Sequence, residues 1–441
     1  MGREFRPYEP DQSYLLPPSL REWLPEEHLA FFVSDAVDAM NLSAFVARYG
    51  DDGPGNQAFD PRMMVKVLLY SYASGTFSSR GIAAKLHEDV ALRVLGAGNF
   101  PAHRTIADFR VRHLEEFQDL FVQVVQMARE AGLVKLGTVA IDGTKVRANA
   151  SKRKAMTYGR MKSEEKRLRK EIRDLTRRAG RTDEQEDKAY GKDRRGDELP
   201  VELSRREDRL AAIQAAKKRL EERQAAEDRE QGREPGDQDR TGKSGTGYKR
   251  AFGEPKEKAQ ESFTDTDSRI MKHGAIGFQQ SYNAQVAVDE EARLIIVASV
   301  TQKGSDVGEL ASVLDEVETN TGELPERVLA DAGYKSESNL RMLEERKVDG
   351  YIALGREGTG PKPIASDKVA TQRMARKLRT KRGRKRYAKR KHIGEPPFGW
   401  IKHVIGFRTF SMRGLHKVGA EWNLVTLATN LRRLNGKMVW V

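Results

Sequence analysis

Apolar residues recur at three- and four-residue intervals over residues 29–46, 63–72 and 106–127, the spacing that gives a helix one buried face. Helix punctuation agrees with the periodicity. Ser78 and Ser79 are placed to cap a short helix through Leu86, Thr105 to cap the long one with Asp108 three residues on, and Gly132 to end it. The texture then changes: Leu136-Gly-Thr-Val-Ala-Ile-Asp142-Gly-Thr144 is short, β-branched and bounded by glycine, which predicts a buried strand ending at a turn. From Tyr158 to about Arg233 the chain is Arg, Lys, Glu, Asp and Ala, with apolar seams at Met161, Leu168, Ile172, Leu175 and at Leu210, Ile213, Leu220. This predicts two antiparallel helices inserted into the strand order, with polar loops over 178–200 and 231–247. Strand texture resumes at Gln279. Residues 282–288 and 294–300 form two apolar runs joined by Asp289-Glu290-Glu291-Ala292-Arg293, the shape of an antiparallel hairpin. A helix over 307–317, a strand Arg327-Val-Leu-Ala-Asp331 ending in Ala-Gly-Tyr334, a helix over 336–346 and a strand over 349–354 follow. That order predicts an α/β layer with mixed strand directions.

Composition narrows the class. The 441 residues carry 79 Lys+Arg against 65 Asp+Glu, a net charge of +14 that calls for a polyanionic partner, nucleic acid before membrane. The length prior suggests two to three domains. No apolar run is long enough to span a membrane, and residues 1–20 lack the apolar stretch of a secretory signal, so a soluble, intracellular protein is expected. With no cysteine there is no disulfide, thiolate nucleophile or iron–sulfur cluster, and any metal must take oxygen or imidazole ligands. The histidines show no paired-ligand spacing. Two stretches concentrate the charge. Residues 79–113 carry Arg80, Lys85, Arg93, His103, Arg104, Arg110 and Arg112 over short helices and tight turns, which suits a helix-turn-helix-like DNA reader. Residues 376–391 are the most basic stretch, with no acid among them, and point to phosphate contact.

Asp142 and Asp331 each close a buried-looking strand, where α/β sheets place their sites. Glu395 stands directly before Pro396-Pro397, which predicts a helix N-terminus there, running through Trp400 and Lys402. Three carboxylates brought together raise one another's pKa unless divalent cations neutralise them, and oxygen-only ligands mean Mg²⁺ or Mn²⁺. Two such ions serve phosphodiester chemistry, with Lys402, two helical turns past Glu395, holding a phosphate. Asp267 and Asp289 read as turn and surface residues, and Tyr334 as a core tyrosine.

The segments Val139-Ala-Ile-Asp-Gly-Thr144, Thr266-Asp-Ser-Arg-Ile-Met-Lys272, Gln280-Ser-Tyr-Asn-Ala-Gln-Val-Ala-Val-Asp289, Leu329-Ala-Asp-Ala-Gly-Tyr334 and Glu395-Pro-Pro-Phe-Gly-Trp-Ile-Lys402 together resemble the DDE transposases of bacterial insertion sequences. The stretch from Phe59 to His113 is similar to the helical domain that precedes that catalytic core. The resemblance implies an α/β RNase H-like core with a mixed sheet, interrupted by a charged helical insertion and preceded by an all-α domain. The divisions expected are 1–133, then 134–157 with 262–441, and 158–261 between them. It implies Asp142, Asp331 and Glu395 as the catalytic, metal-holding triad. In the family's Tyr, two residues, Arg, three residues, Glu, six residues, Lys signature, the arginine position falls on Lys391 and the tyrosine position on Ala388. A one-residue slip places Tyr387 and Arg390 there instead. DNA contacts are then expected from Lys402, Arg390, Lys391, Tyr387, Arg386, Arg80, Arg104 and Arg110. The implied reaction hydrolyses DNA at terminal inverted repeats and joins the 3′-hydroxyls to target DNA. It needs no nucleotide cofactor and implies a homodimer on paired ends in the bacterial cytoplasm, at the nucleoid. An inactive protein occupying element ends, and a nuclease of this fold without strand transfer, are the rival readings.

Overall fold

Asp60 and Pro61 open the first long helix of the computed structural model, which describes residues 19–49, 58–151, 154–190, 201–236, 250–355 and 363–438. The Asp60 carboxylate accepts from the Arg62 amide at 2.6 Å, and Pro61 has no amide to leave orphaned. The N-terminal helices are α1 (Leu29–Ala39), α2 (Ser43–Val46), α3 (Pro61–Ala73), α4 (Ser79–Glu88), α5 (Val90–Gly96), α6 (His103–Arg112) and α7 (Leu114–Glu130). Ser78 caps α4, its hydroxyl accepting from the Gly81 amide at 3.0 Å. The single long helix expected over 106–127 is in fact two. It starts before Thr105, at His103, and breaks at His113. The fully buried imidazole of His113 packs on Phe45 and Phe109 at centroid distances of 4.9 and 4.4 Å, so tertiary packing turns the chain where the periodicity runs on.

The strands are β1 (Val139–Arg147), β2 (Ala155–Thr157), β3 (Gln260–Ser262), β4 (Arg269–His273), β5 (Gly277–Asp289), β6 (Ile295–Thr301), β7 (Arg327–Ala330) and β8 (Asp349–Ile352). The main sheet runs β4-β5-β1-β7-β8, and β5 shares its second edge between β4 and β6. β1 is antiparallel to β5 and parallel to β7, which is parallel to β8. β5 is buried from Gln280 to Asp289, so both its faces are covered, with Tyr282, Ala284, Val286 and Val288 on one and the polar Ser281, Asn283 and Gln285 on the other. Helices α10 (Leu310–Thr321), α11 (Glu337–Glu345), α12 (Val369–Arg379), α13 (Lys381–Gly399) and α14 (Leu415–Met438) complete the layer, α13 lying across β1 and α14 across β6. Trp422 of α14 is fully buried against Phe398, Phe407 and Phe410. Because α14 also packs on α3 and α7, one apolar cluster runs from Ala30 to Leu431. Among the described residues no helix is long and apolar enough to cross a membrane.

The interruption after β1 is a pair of helices, α8 (Tyr158–Tyr190) and α9 (Val201–Glu230), with a core of their own: Tyr158, Met161 and Leu168 against Ile213, Ala216 and Leu220. A loop was expected from residue 178, yet α8 continues to Tyr190 through Ala, Arg, Glu, Gln and Lys residues of good helix propensity. The rest of that expected loop, 191–200, and the 237–247 part of the second lie outside the described residues. The carboxylate of Glu261, on β3, is almost wholly buried and receives Arg219 at 3.0 Å and Arg223, both from α9, fastening the pair to the strand at its base.

Candidate active site

β1 and β7 lie side by side in parallel with Ile141 opposite Ala330, so Asp142 and Asp331 come next on neighbouring strands, about 4.8 Å being the usual separation. Asp331 closes β7 as expected, but the strand end expected at Asp142 is not there: β1 continues through Gly143 and Thr144 to Arg147 because β5 pairs with it along that whole length, while its pairing with β7 stops at Ile141. Each carboxylate is oriented by a nearby backbone amide. Asp142 accepts from the Gly143 amide at 2.9 Å, and Asp331 from the Gly333 amide at 2.7 Å, capping the short turn Ala332–Tyr334. α13 crosses directly above. It packs so closely that a Cβ at Gly394 would stand in van der Waals contact with that of Asp142, at 3.4 Å, and it carries Glu395 over the two aspartates.

The expected helix N-terminus at Glu395 is not there. Glu395 lies inside α13, with Pro396 and Pro397 in the helix interior, and a π-helical turn over Trp400–Val404 follows. Proline at 396 removes the amide that would have bonded the His392 carbonyl, and the Arg293 guanidinium donates to that carbonyl instead. The substitution of one donor for another is what allows the helix to continue. The π turn also changes the phase, so Lys402 is brought down onto β1, where its ammonium donates to the Thr144 hydroxyl and to the Lys145 carbonyl at 3.1 Å.

Arg390 joins the acids. Its guanidinium donates to Asp142 at 3.4 Å and to Glu395 at 3.1 Å, and its side chain is only 10% exposed. Of the neighbouring pair Arg390 and Lys391, it is Arg390 that enters the site. Burial, with Asp331 and Glu395 adding to it, pushes the Asp142 carboxyl up to about 6 in spite of Arg390. Burial also lowers the pKa of Lys402, with Lys145 adding to the effect. Three carboxylates therefore share one guanidinium. Among the described residues no three side chains stand close enough to hold a metal ion as they are, Arg390 filling the gap between Asp142 and Glu395. The donor set itself, oxygen only and short of positive charge, fits a hard dication.

The remaining expected contacts are distributed more widely. Arg386 donates to Asp349 at 3.0 Å and to Tyr351 at 2.7 Å, while Tyr387 and Lys391 border a cleft with Leu354 and Arg384. Arg80 and Arg104 are exposed on α4 and α6. Arg110 is buried instead, donating to the Tyr72 hydroxyl at 2.7 Å, the Phe77 carbonyl at 2.9 Å and the Ser79 hydroxyl at 2.7 Å, so it fastens α6 to α3 and α4 rather than facing a duplex. Asp289, expected at the surface, is buried and accepts the Leu136 and Glu291 amides, each at 3.0 Å. Tyr334 is a core residue whose hydroxyl donates to Gln285.

A fourth acid escaped the sequence reading. Asp306 receives the amides of Asn283 at 2.6 Å and Gln285 at 2.8 Å, and pairs with Lys145 at 3.5 Å. It borders the site: a Cβ at Gly333 would meet Asp331 at 2.8 Å and Asp306 at 3.1 Å. The available signal was the pair Asn283 and Gln285, two polar residues on one face of an otherwise apolar strand, which ask for a buried polar partner.

Two known families match parts of the chain. The family described as Transposase DDE domain matches residues 240–431, taking in Asp331 and Glu395 and beginning after Asp142. A second, Transposase domain (DUF772), matches residues 18–112, the helical region ahead of the sheet. No curated protein and no solved structure gave a match. The two matched segments fall in the order expected of an RNase H-like core behind a helical domain, and the chain belongs to the DDE transposases of insertion elements.

Proposed function

We propose that this transposase cuts the ends of a DNA insertion element and joins the freed 3′-hydroxyls to target DNA, with Asp142, Asp331 and Glu395 as its catalytic acids. The observation that carries the reading is the adjacent register of Asp142 and Asp331 beneath a helix that brings Glu395 over them. The three carboxylates would hold Mg²⁺ or Mn²⁺. Bound there, a pair of such ions supplies activation of the attacking oxygen and stabilisation of the leaving oxygen at phosphorus.

The chain's own groups bind and orient the DNA. Arg390 neutralises Asp142 and Glu395 in the protein alone, and its long side chain reaches a bound phosphate from the same place. Lys402, held against β1 beside Thr144, offers its ammonium to the phosphate next to the cut. Tyr387, Lys391 and Arg386 on α13 extend this contact, and Arg80 and Arg104 take the duplex farther out. Joining exchanges one phosphodiester for another, so no nucleotide is consumed. Two ends must be held at once, which calls for a dimer.

The test incubates purified protein with duplex copied from the DNA flanking its own gene, adds Mg²⁺, and sequences new 3′ ends and joined products. Wild type is expected to give both, and Asp142→Asn to bind and leave the duplex intact. Equal inertness of the two, with binding retained, would make the protein a binding module; cuts without joined product would make it a nuclease.

A further inference from the structure

The hairpin formed by β4 and β5 ends in a tip that the site described above does not use. Ile276 is 64% exposed there and Phe278 57%, the most exposed large apolar side chains among the described residues. Isolated apolar residues on a surface need no explanation, but these two share one turn and are set among cations. His273, at the base of the tip, shares a hydrogen bond with the Ser281 hydroxyl at 2.6 Å. Its pKa is lowered by burial and then by Lys402, Arg147 and Lys145, which places all three cations around it.

Arg147, Lys272, Arg408 and Arg413 are exposed, and none of them, nor Lys402, forms an ion pair among the described residues. Arg408 donates to the Lys402 carbonyl at 2.9 Å and Arg413 to the Asn149 carbonyl at 2.9 Å, contacts that aim the side chains without neutralising them. The acids on the adjoining turn are committed elsewhere. Asp265 accepts from the Tyr282 hydroxyl at 2.8 Å and the Gly414 amide at 3.2 Å, and Asp267 from the Leu415 amide at 2.8 Å. An open rim of cations around an apolar tip fits a polyanion with apolar surface between its charges. DNA has that character, and an acidic protein surface lacks the apolar groove floor.

The register gives the distance. Asp142 is paired with Val286 on β5, and Phe278 precedes Val286 by eight residues on the same strand. At about 3.4 Å per residue this is about 27 Å, the rise of about eight base pairs.

We propose that Arg147, Lys272, Arg408 and Arg413 hold the phosphates of the duplex that leaves the site, and that Ile276 and Phe278 enter its minor groove about eight base pairs from the cut. This rests on the transposase reading and names a part of its substrate contact that the acidic site does not.

The test uses full-length protein in EDTA, titrated at several salt concentrations into a fluorescein-labelled duplex copied from the DNA beside its own gene. The triple variant Arg147→Ala, Lys272→Ala, Arg408→Ala is expected to flatten the slope of log affinity against log salt by about one per cation removed. The double variant Ile276→Ser, Phe278→Ser is expected to lose hydroxyl-radical protection about eight base pairs from the cut and to keep protection at the cut. Both should keep the wild-type thermal midpoint, since all five side chains are exposed. Wild-type slope and footprint in both variants overturn the proposal. So does a shift of the apolar variant from dimer to monomer on gel filtration with its footprint unchanged, which would give the tip to a second copy of the chain. Cutting of the same duplex with Mg²⁺ is followed in parallel. If wild type binds and does not cut, the catalytic reading fails while a changed slope still supports the surface; if wild type cuts and the variants match it in binding, the surface alone fails.

Discussion

At Gly333 the spacing of two carboxylates depends on a missing methyl group. A Cβ there would lie 2.8 Å from Asp331 and 3.1 Å from Asp306, so Gly333→Ala must push at least one of them aside. Cutting of an end-containing duplex should slow by about 100-fold, the cost of misplacing a reacting group by about an ångström, with the thermal midpoint little changed. An unaltered rate would mean that the spacing of Asp331 and Asp306 at Gly333 does not limit the chemistry. A second residue-scale expectation concerns Glu316 on α10. Burial pushes its carboxyl up to about 7, the Ser299 hydroxyl opposing and Glu309 and Asp315 adding to the rise. A raised carboxyl favours the protonated fold, so the penalty is absent below the ordinary value of 4.5, grows between 4.5 and about 7, and is full above. Glu316→Gln should therefore stabilise the protein at about pH 8 by up to about 3 kcal/mol and leave it unchanged near pH 4.5, measured by urea unfolding at both. At this scale Asp142 and Asp331 were legible because an acid directly after a short apolar run stands out, although only Asp331 closes its strand and β1 runs on past Asp142 to Arg147. Asp306 was not, since it follows β6 in a polar turn and acquires its meaning only from Asn283 and Gln285 on another strand.

Elements were read well where one force set them and poorly where two competed. The periodic helices of the first 130 residues and the runs of β1, β5, β6, β7 and β8 follow from burial of one face or both. α13 was misread because a proline pair ordinarily opens a helix. Here Arg293 takes over the vacated His392 carbonyl, and contact with β1 through Gly394 holds the helix across the break. The same helix decides which basic residue meets the acids, since Arg390 and Lys391 differ by about 100° around its axis and Arg390 is the one directed at Asp142. The inserted pair α8–α9 gives an element-scale expectation. Glu261→Ala leaves Arg219 and Arg223 without their shared carboxylate, and both reach solvent, so the cost should be about 2 kcal/mol, below that of a fully buried pair. Hydrogen exchange in α9 should quicken and that in β1 stay as it was; equal acceleration in both would show that the insertion and the sheet unfold together.

On the scale of the whole molecule, α14 binds the N-terminal helices to the sheet through one continuous core, so a disturbance at the acids is felt in global stability. Mg²⁺ or Mn²⁺ that binds the folded acids should raise the thermal midpoint, by about 2.7 kcal/mol of stability at a hundredfold excess over Kd. Asp142→Asn and Asp331→Asn should lose that rise, and a scan of each protein with and without the cation reads it without any DNA. Equal rises in all three proteins would place the cation elsewhere. The net charge of +14, the absence of cysteine, the helical or extended texture of most segments and the two aspartates that follow apolar runs were all present in the chain as written, because they depend on composition and on neighbours a few residues away. The meeting of Asp142, Asp331 and Glu395, the entry of Arg390 between them, the flanking Asp306 and the open cationic rim at the β4–β5 tip depend on strand register and on how closely α13 packs. Those are contacts between residues far apart in sequence, where backbone preference is silent and only the folded core selects one arrangement.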